Sequence, residues 1–200
     1  MSENSIESVS KIIAKLPGLG PRIAKRIVLN LVNNKEKTLL PLIHNLQNLH
    51  DKVKNCQICN NIDEGEICHI CKNEFRNKSI ICVVENVADL WAIERSENYN
   101  GIYHILNGNL SAMSGKSIED IDIEGLLRRV RENSEGLIKE IIIATSATID
   151  GQTTAHFLVE TLKEFNLKVT RLAYGIPVGS ELDYLDDGTI SIAFKTRSEF

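Results

Sequence analysis

The chain has 200 residues, 42% of them hydrophobic, enough for one large core or a few small ones. No apolar run approaches the roughly 20 residues that span a membrane, and Met1-Ser2-Glu3-Asn4 opens a polar segment without a secretory apolar stretch, so a cytoplasmic protein is expected. A net charge of -4 excludes a generally basic coat for nucleic acid, yet residues 1–55 carry nine Lys/Arg against four Asp/Glu, leaving fourteen against twenty-three in the rest.

Such a basic end on an acidic body suggests a local polyanion-binding module, with an ordinary solvated helix face as the alternative. Ser5 to Lys15 places Ile6, Val9, Ile12 and Ile13 at the spacing of an amphipathic helix that stops at Leu16-Pro17. The stretch Leu16-Pro17-Gly18-Leu19-Gly20-Pro21 then leads into a second helix, Arg22 to Val32, with Pro21 in its first turn and Ile23, Ile27 and Leu31 on one face. Gly18 and Gly20 permit positive φ and leave amides uncovered at a helix start, where the dipole attracts phosphate. Arg22, Lys25 and Arg26 flank that point. Leu39 to Val53 gives a third helix, with Leu42, Ile43, Leu46 and Leu49 on one face. His44 and His50, in or beside it, read as surface or packing residues.

Cys56-Gln57-Ile58-Cys59 and Cys68-His69-Ile70-Cys71 are two CxxC knuckles separated by eight residues. In a chain without secretory features this spacing points to a closed, tetrahedral four-thiolate zinc site with a structural role. The polar segment Asn60 to Ile67 builds no core of its own, so the metal is expected to supply its folding energy. The alternatives are a disulfide pair, unrelated buried thiols or a redox centre. Cys82, in an apolar strand, reads as a core residue.

Ser79 to Glu85 is a continuous apolar run ending in an acid, the pattern of a strand buried on both faces. Helix Asn86 to Arg95, strand Gly101 to Leu106, a helix within Ile118 to Val130, strand Glu140 to Thr145, helix Gly151 to Phe165 and strand Lys168 to Ala173 follow. This alternation predicts an α/β fold with a parallel sheet and flanking helices. Ligands of such sheets sit beyond the strand carboxyl ends, which gather Glu85, Asn107-Gly108, Ser146 to Asp150 and Tyr174-Gly175. Gly115-Lys116-Ser117 imitates a phosphate-binding P-loop, but Leu110 stands where the motif needs its first glycine. The remaining tail is expected to pack on its own sheet or on a neighbouring subunit.

The glycine-rich turn between helices resembles the helix-hairpin-helix of DNA-binding proteins. A strand-terminal Glu followed by acids after a later strand resembles the Toprim domain, whose catalytic members use the Glu as general acid/base and a DxD pair for magnesium. Here Thr145 to Gly151 holds one Asp and no DxD, so magnesium is expected to bind weakly and phosphoryl transfer is disfavoured. Helix capping is an alternative role for Glu85 and Asp150. The ordered set of hairpin, four-cysteine knuckle, Toprim-like sheet and the tail Thr170-Arg171-Leu172-Ala173-Tyr174-Gly175-Ile176-Pro177-Val178-Gly179 resembles the bacterial recombination protein RecR family over essentially the whole chain.

That resemblance implies a helix-hairpin-helix module at 1–55, a C4 zinc finger at 56–72 holding one zinc on Cys56, Cys59, Cys68 and Cys71, a Toprim domain at 79–174 and a C-terminal segment at 175–200 for subunit contacts. It implies a non-enzymatic DNA-repair mediator, a ring-like tetramer, acting with RecO and RecF to load RecA on gapped DNA. DNA is expected at Gly18, Gly20, Arg22, Lys25 and Arg26, and a partner protein or weak magnesium at Glu85, Asp89 and Asp150. In the family a Glu is usual where this chain has Asp150. The competing reading is a magnesium-dependent Toprim nuclease or strand-transferase, with Glu85 as acid/base and Asp150 on the metal; a weaker one is a zinc-stabilised scaffold without DNA contact.

Overall fold

The structure, a computed structural model, describes residues 4–111, 115, 117–132 and 136–197. The chain forms two compact units, Met1–Val53 and Lys54–Phe200. In the first, α1 (Ser5–Ile13) starts at Asn4, whose side chain accepts from the Ile6 amide at 3.1 Å. The turn after it carries Gly18 at φ 76°, and α2 (Pro21–Asn33) buries Ala24, Val28 and Leu31 along one stripe. A π-helical turn, Lys35–Leu39, runs into α3 (Leu40–Lys52). This third helix is one residue shorter at each end than its periodicity predicts, because Leu39 closes the π turn and Val53 turns extended. Its apolar residues Leu42, Ile43, Leu46 and Leu49 remain exposed.

A two-stranded ribbon, β1 (Val53–Asn55) with β2 (Ile62–Glu64), starts at the last residue of the first unit and leads into the second, followed by the short α4 (His69–Lys72). The chain continues through β3 (Asn77–Val84), α5 (Val87–Arg95), β4 (Gly101–Ile105), α6 (Ile123–Arg131), β5 (Glu140–Ala144), α7 (Ile149–Leu162), β6 (Lys168–Arg171) and α8 (Asp187–Lys195). The helix expected within 118–130 is split: a 3₁₀ turn at Ile118–Asp120 precedes α6, and Asp122 caps α6 by accepting from the Gly125 amide at 2.9 Å. Lys116 of the P-loop-like run lies outside the described residues.

β3 to β6 form a parallel sheet in the order β4-β3-β5-β6. The chain steps from β3 outward to β4 and then crosses to β5 on the other side, so the loops after β3 and β5 diverge at a topological switch point. Alternation along β3 divides the core. Ile81 and Val83 pack with Ile141, Ile143, Leu126, Val130, Leu158 and Leu162 under α6 and α7. Cys82 and Val84 face the other way, with Tyr103, Ile105 and Leu90, and this layer is completed by Cys56, Cys59, Cys68 and Ile70. Two-sided burial is what the unbroken apolar run predicts. Among the described residues no helix is long and apolar enough to cross a membrane.

Candidate metal centre and strand-end acids

The sulfurs of Cys56, Cys59, Cys68 and Cys71 all lie within 4.8 Å of one another, with Cys59 Sγ and Cys68 Sγ 3.6 Å apart. Sulfurs about 2.3 Å from a tetrahedral zinc stand about 3.8 Å from each other, so the donor set fits that ion. Asn60, in the left-handed conformation at φ 63°, closes the first knuckle: its amide donates to Cys56 O at 2.9 Å, and Cys56 N donates to Asn61 O at 2.7 Å. The second knuckle is the start of α4, where Cys68 Sγ accepts from Cys71 N at 3.4 Å and Cys56 Sγ accepts from Cys68 N at 3.3 Å. Asp63 steadies that helix by accepting from both His69 N and His69 Nδ1 at 2.7 Å. Hydrogen bonds from Cys59 and Cys71 hold the Cys68 thiol well below its ordinary range, while the contact with Cys68 raises Cys59. Metal binding therefore displaces protons. Cys82 lies in the core as expected, its thiol pushed up to about 12 by burial.

The knuckle is mounted on the outer edge of β4, an end strand of the sheet. Ile105 N donates to Cys59 O at 2.9 Å, Asn60 Nδ2 donates to Ile105 O at 3.0 Å, and Arg129 Nη1 donates to Tyr103 O at 2.7 Å. Below it, Arg76 pairs two-pronged with Glu94, which also accepts from Tyr103 Oη at 2.6 Å. Sequence reasoning found the cysteines but missed Asn60, which ties the first knuckle to β4, and Arg76 and Arg129, which bond to β4 itself; none carries a spacing signal.

At the switch point Glu85 is buried, and its carboxylate joins the loops. Oε1 accepts from the Ser146 amide at 2.7 Å and Oε2 from Asn109 Nδ2 at 2.8 Å, while its carbonyl accepts from Gly108 N at 2.9 Å. A Cβ on Gly151 would stand 2.2 Å from Ser146 O and 2.8 Å from Glu85 Oε1, which is why glycine occupies the first turn of α7. Asp89 serves the capping box of α5 with Asn86; burial raises its carboxyl pKa, and the nearby Glu85 charge adds to that. Asp150 lies in the first turn of α7. Among the described residues the cysteines are the one cluster of three or more metal-capable side chains gathered this tightly; Glu85, Asp89 and Asp150 do not converge.

In the first unit Gly18, Gly20, Arg22, Lys25 and Arg26 are all exposed. Nothing lies within 4 Å of where a Cβ would project from Gly18 or Gly20, so that face of the turn is open backbone.

The Toprim domain family matches residues 79–173, the four-cysteine zinc finger domain of RecR 53–73 and the RecR C-terminal family 175–198. "Recombination protein RecR" of Neorickettsia sennetsu is 49% identical over 195 residues, 98% of each chain, and that of Rickettsia canadensis is 50% identical over 197 residues, again 98% of each. The chain belongs to the RecR family. The Rhizobium rhizogenes RecR is 48% identical over 193 residues, 96% of this chain and 94% of the relative. The RecR zinc-finger match contains all four cysteines, and domain and cluster together fit one structural zinc per chain. The Toprim match contains Glu85, Asp89 and Asp150.

Proposed function

We propose that this RecR-family chain is a non-catalytic mediator of DNA recombination and repair in the cytoplasm, gripping DNA backbone through a helix-hairpin-helix at its basic N-terminal turn. The observation that carries the reading is full-length identity near 49% to proteins named for recombination. The open turn supports it: exposed Gly18 and Gly20 leave amides accessible beside Arg22, Lys25 and Arg26, none of which pairs with a carboxylate among the described residues. Assembly into a ring-like tetramer would add several weak grips by avidity, and RecO and RecF are the partners with which it would load RecA on gapped DNA.

Two observations disfavour the magnesium-dependent nuclease or strand-transferase. Glu85 is engaged by Ser146 and Asn109, and the strand-end acids do not gather into a cation cage, so magnesium would bind weakly at most. Glu85 then holds the loops together, and the half-buried Asp89 and Asp150 are the acids left to meet a partner protein. The test is binding to gapped DNA across a salt series, wild type against Arg22→Glu/Arg26→Glu, with magnesium cleavage assayed in parallel. Salt-dependent affinity lost in the variant with DNA intact supports the mediator. Cleavage abolished by Glu85→Gln overturns it, and unchanged affinity and salt slope in the hairpin variant leave a scaffold without DNA contact.

A further inference from the structure

Arg129 projects from α6 to the edge of β4 and meets no carboxylate there. Among the described residues its hydrogen-bond partners are the neutral carbonyl of Tyr103 at 2.7 Å and His104 Nδ1 at 3.5 Å. His104 is itself neutral. It is fully buried, its Nε2 lies 2.7 Å from the Asp122 carbonyl, which accepts only from an N–H, and its Nδ1 is left as the acceptor for Arg129. Arg129 is half-buried, and a cation drawn that far from water without a counter-charge is costly.

The required charge stands beside the same strand edge. Tyr103 O, which holds Arg129, and Ile105 N, which holds Cys59 O, are neighbouring outward-facing groups of β4, and Cys56, Cys59, Cys68 and Tyr103 share one buried cluster. Desolvation lowers the Arg129 pKa, and the sulfurs of Cys71, Cys59 and Cys56 pull it back up. Zinc on four thiolates is a dianion, larger in charge than any single carboxylate could provide.

We propose that Arg129 is the counter-cation of the zinc tetrathiolate, a positioning residue that ties the metal centre to the edge of the sheet and sets zinc affinity. This rests on zinc occupying the four cysteines, and the experiment keeps the two apart by first counting zinc in the wild type. If the purified wild type carries no zinc, the metal assignment fails before Arg129 is tested.

Three variants separate charge from hydrogen bonding. Arg129→Gln keeps an amide donor for Tyr103 O but removes the charge, Arg129→Lys keeps the charge, and Arg128→Gln alters the exposed neighbour. Zinc affinity is read by competition with a chromophoric chelator, with circular dichroism confirming the fold. Arg129→Gln is expected to weaken zinc binding by roughly 10–100-fold, the range for residues that support metal ligands, while Arg129→Lys and Arg128→Gln stay near wild type. Wild-type affinity in Arg129→Gln, or an equal loss in Gln and Lys, overturns the proposal. Should Arg129→Gln not fold, Cys71→His is added to remove one negative charge from the site: rescued folding with zinc supports the charge pairing, and no rescue overturns it.

Discussion

The amide of Ile105 donates to the carbonyl of Cys59 at 2.9 Å, so a cysteine knuckle occupies the position that a further strand would take beside β4. Asn60 and Arg129 satisfy the next groups along that edge, Ile105 O and Tyr103 O. Exposed strand edges are templates for intermolecular pairing, and here the zinc knuckle is the cover.

Stripping the metal should therefore open the edge as well as unfold the knuckle. Chelation, or the Cys56→Ala/Cys59→Ala variant, is expected to lower solubility and to release the Ile105 amide to rapid hydrogen exchange while Val84 in the neighbouring β3 stays protected. Light scattering and amide exchange check this. A soluble, fully folded double variant without metal would contradict it.

Gly151 predicts a second local failure. Its Cβ position lies 2.2 Å from Ser146 O, 2.4 Å from Ser146 Oγ and 2.8 Å from Glu85 Oε1, backbone and tethered groups that cannot swing aside cheaply. Gly151→Ala is expected to cost about 1–3 kcal/mol, the range for overpacking, despite alanine's better helix propensity. Thermal unfolding of Gly151→Ala beside Gly188→Ala, which meets only a side-chain oxygen of Asp186, measures the difference.

How far these arrangements were legible in the sequence depended on whether one signal stood alone. The zinc ligands and the parallel sheet were readable because paired CxxC spacing and unbroken apolar runs admit few alternatives. Strand Ser79 to Glu85 was placed within a residue or two of β3. Leu39 and Val53 shifted at the ends of the third helix because a π turn and a strand compete there with helical periodicity, which does not mark an end; nor did it fix the buried face of α2, where Ala24 and Val28 lie inside and Ile23 is exposed. Glu85 was visible as a strand-terminal acid, but its partners Asn109 and Ser146 lie 24 and 61 residues away, and nothing local announces such a bond. Arg129 was hidden for the same reason: one arginine in the Arg128-Arg129-Val130-Arg131 run looks like any other until β4 is beside it.

His104 predicts a pH dependence. Burial, with the charge of Arg129, holds its imidazole down to about 4 against the pull of the Asp122 oxygens. An unfolded histidine takes up its proton near pH 6.5. Between these values the unfolded chain binds more protons, so stability is complete above pH 6.5 and falls toward pH 4, by on the order of 3 kcal/mol. Denaturant unfolding at several pH values, wild type against His104→Gln, isolates this contribution, with zinc content followed at each pH because acid also competes for the cysteines. Identical slopes in both proteins would remove His104 as the cause.

Glu85 distinguishes a tether from a catalytic base without any substrate. Its carboxylate holds the loop after β5 through Ser146 N and the loop after β4 through Asn109 Nδ2. In Glu85→Ala the half-buried Ser146 amide loses its acceptor and Asn109 its partner, at an expected cost of about 1 kcal/mol per group, the low end for unsatisfied groups because water reaches both. Glu85→Gln keeps an oxygen for Ser146, and Asn109 can turn its amide to present oxygen to the new NH₂, so this variant should lose much less stability. Amide exchange at Ser146 should rise sharply in Glu85→Ala and little in Glu85→Gln. A residue serving only as general base would lose its chemistry equally in Gln and Ala, neither of which can take up the proton, whereas a tether separates the two variants by Ser146 exchange. Equal exchange in the two variants would therefore remove the tether as the reason for an acid at the end of β3.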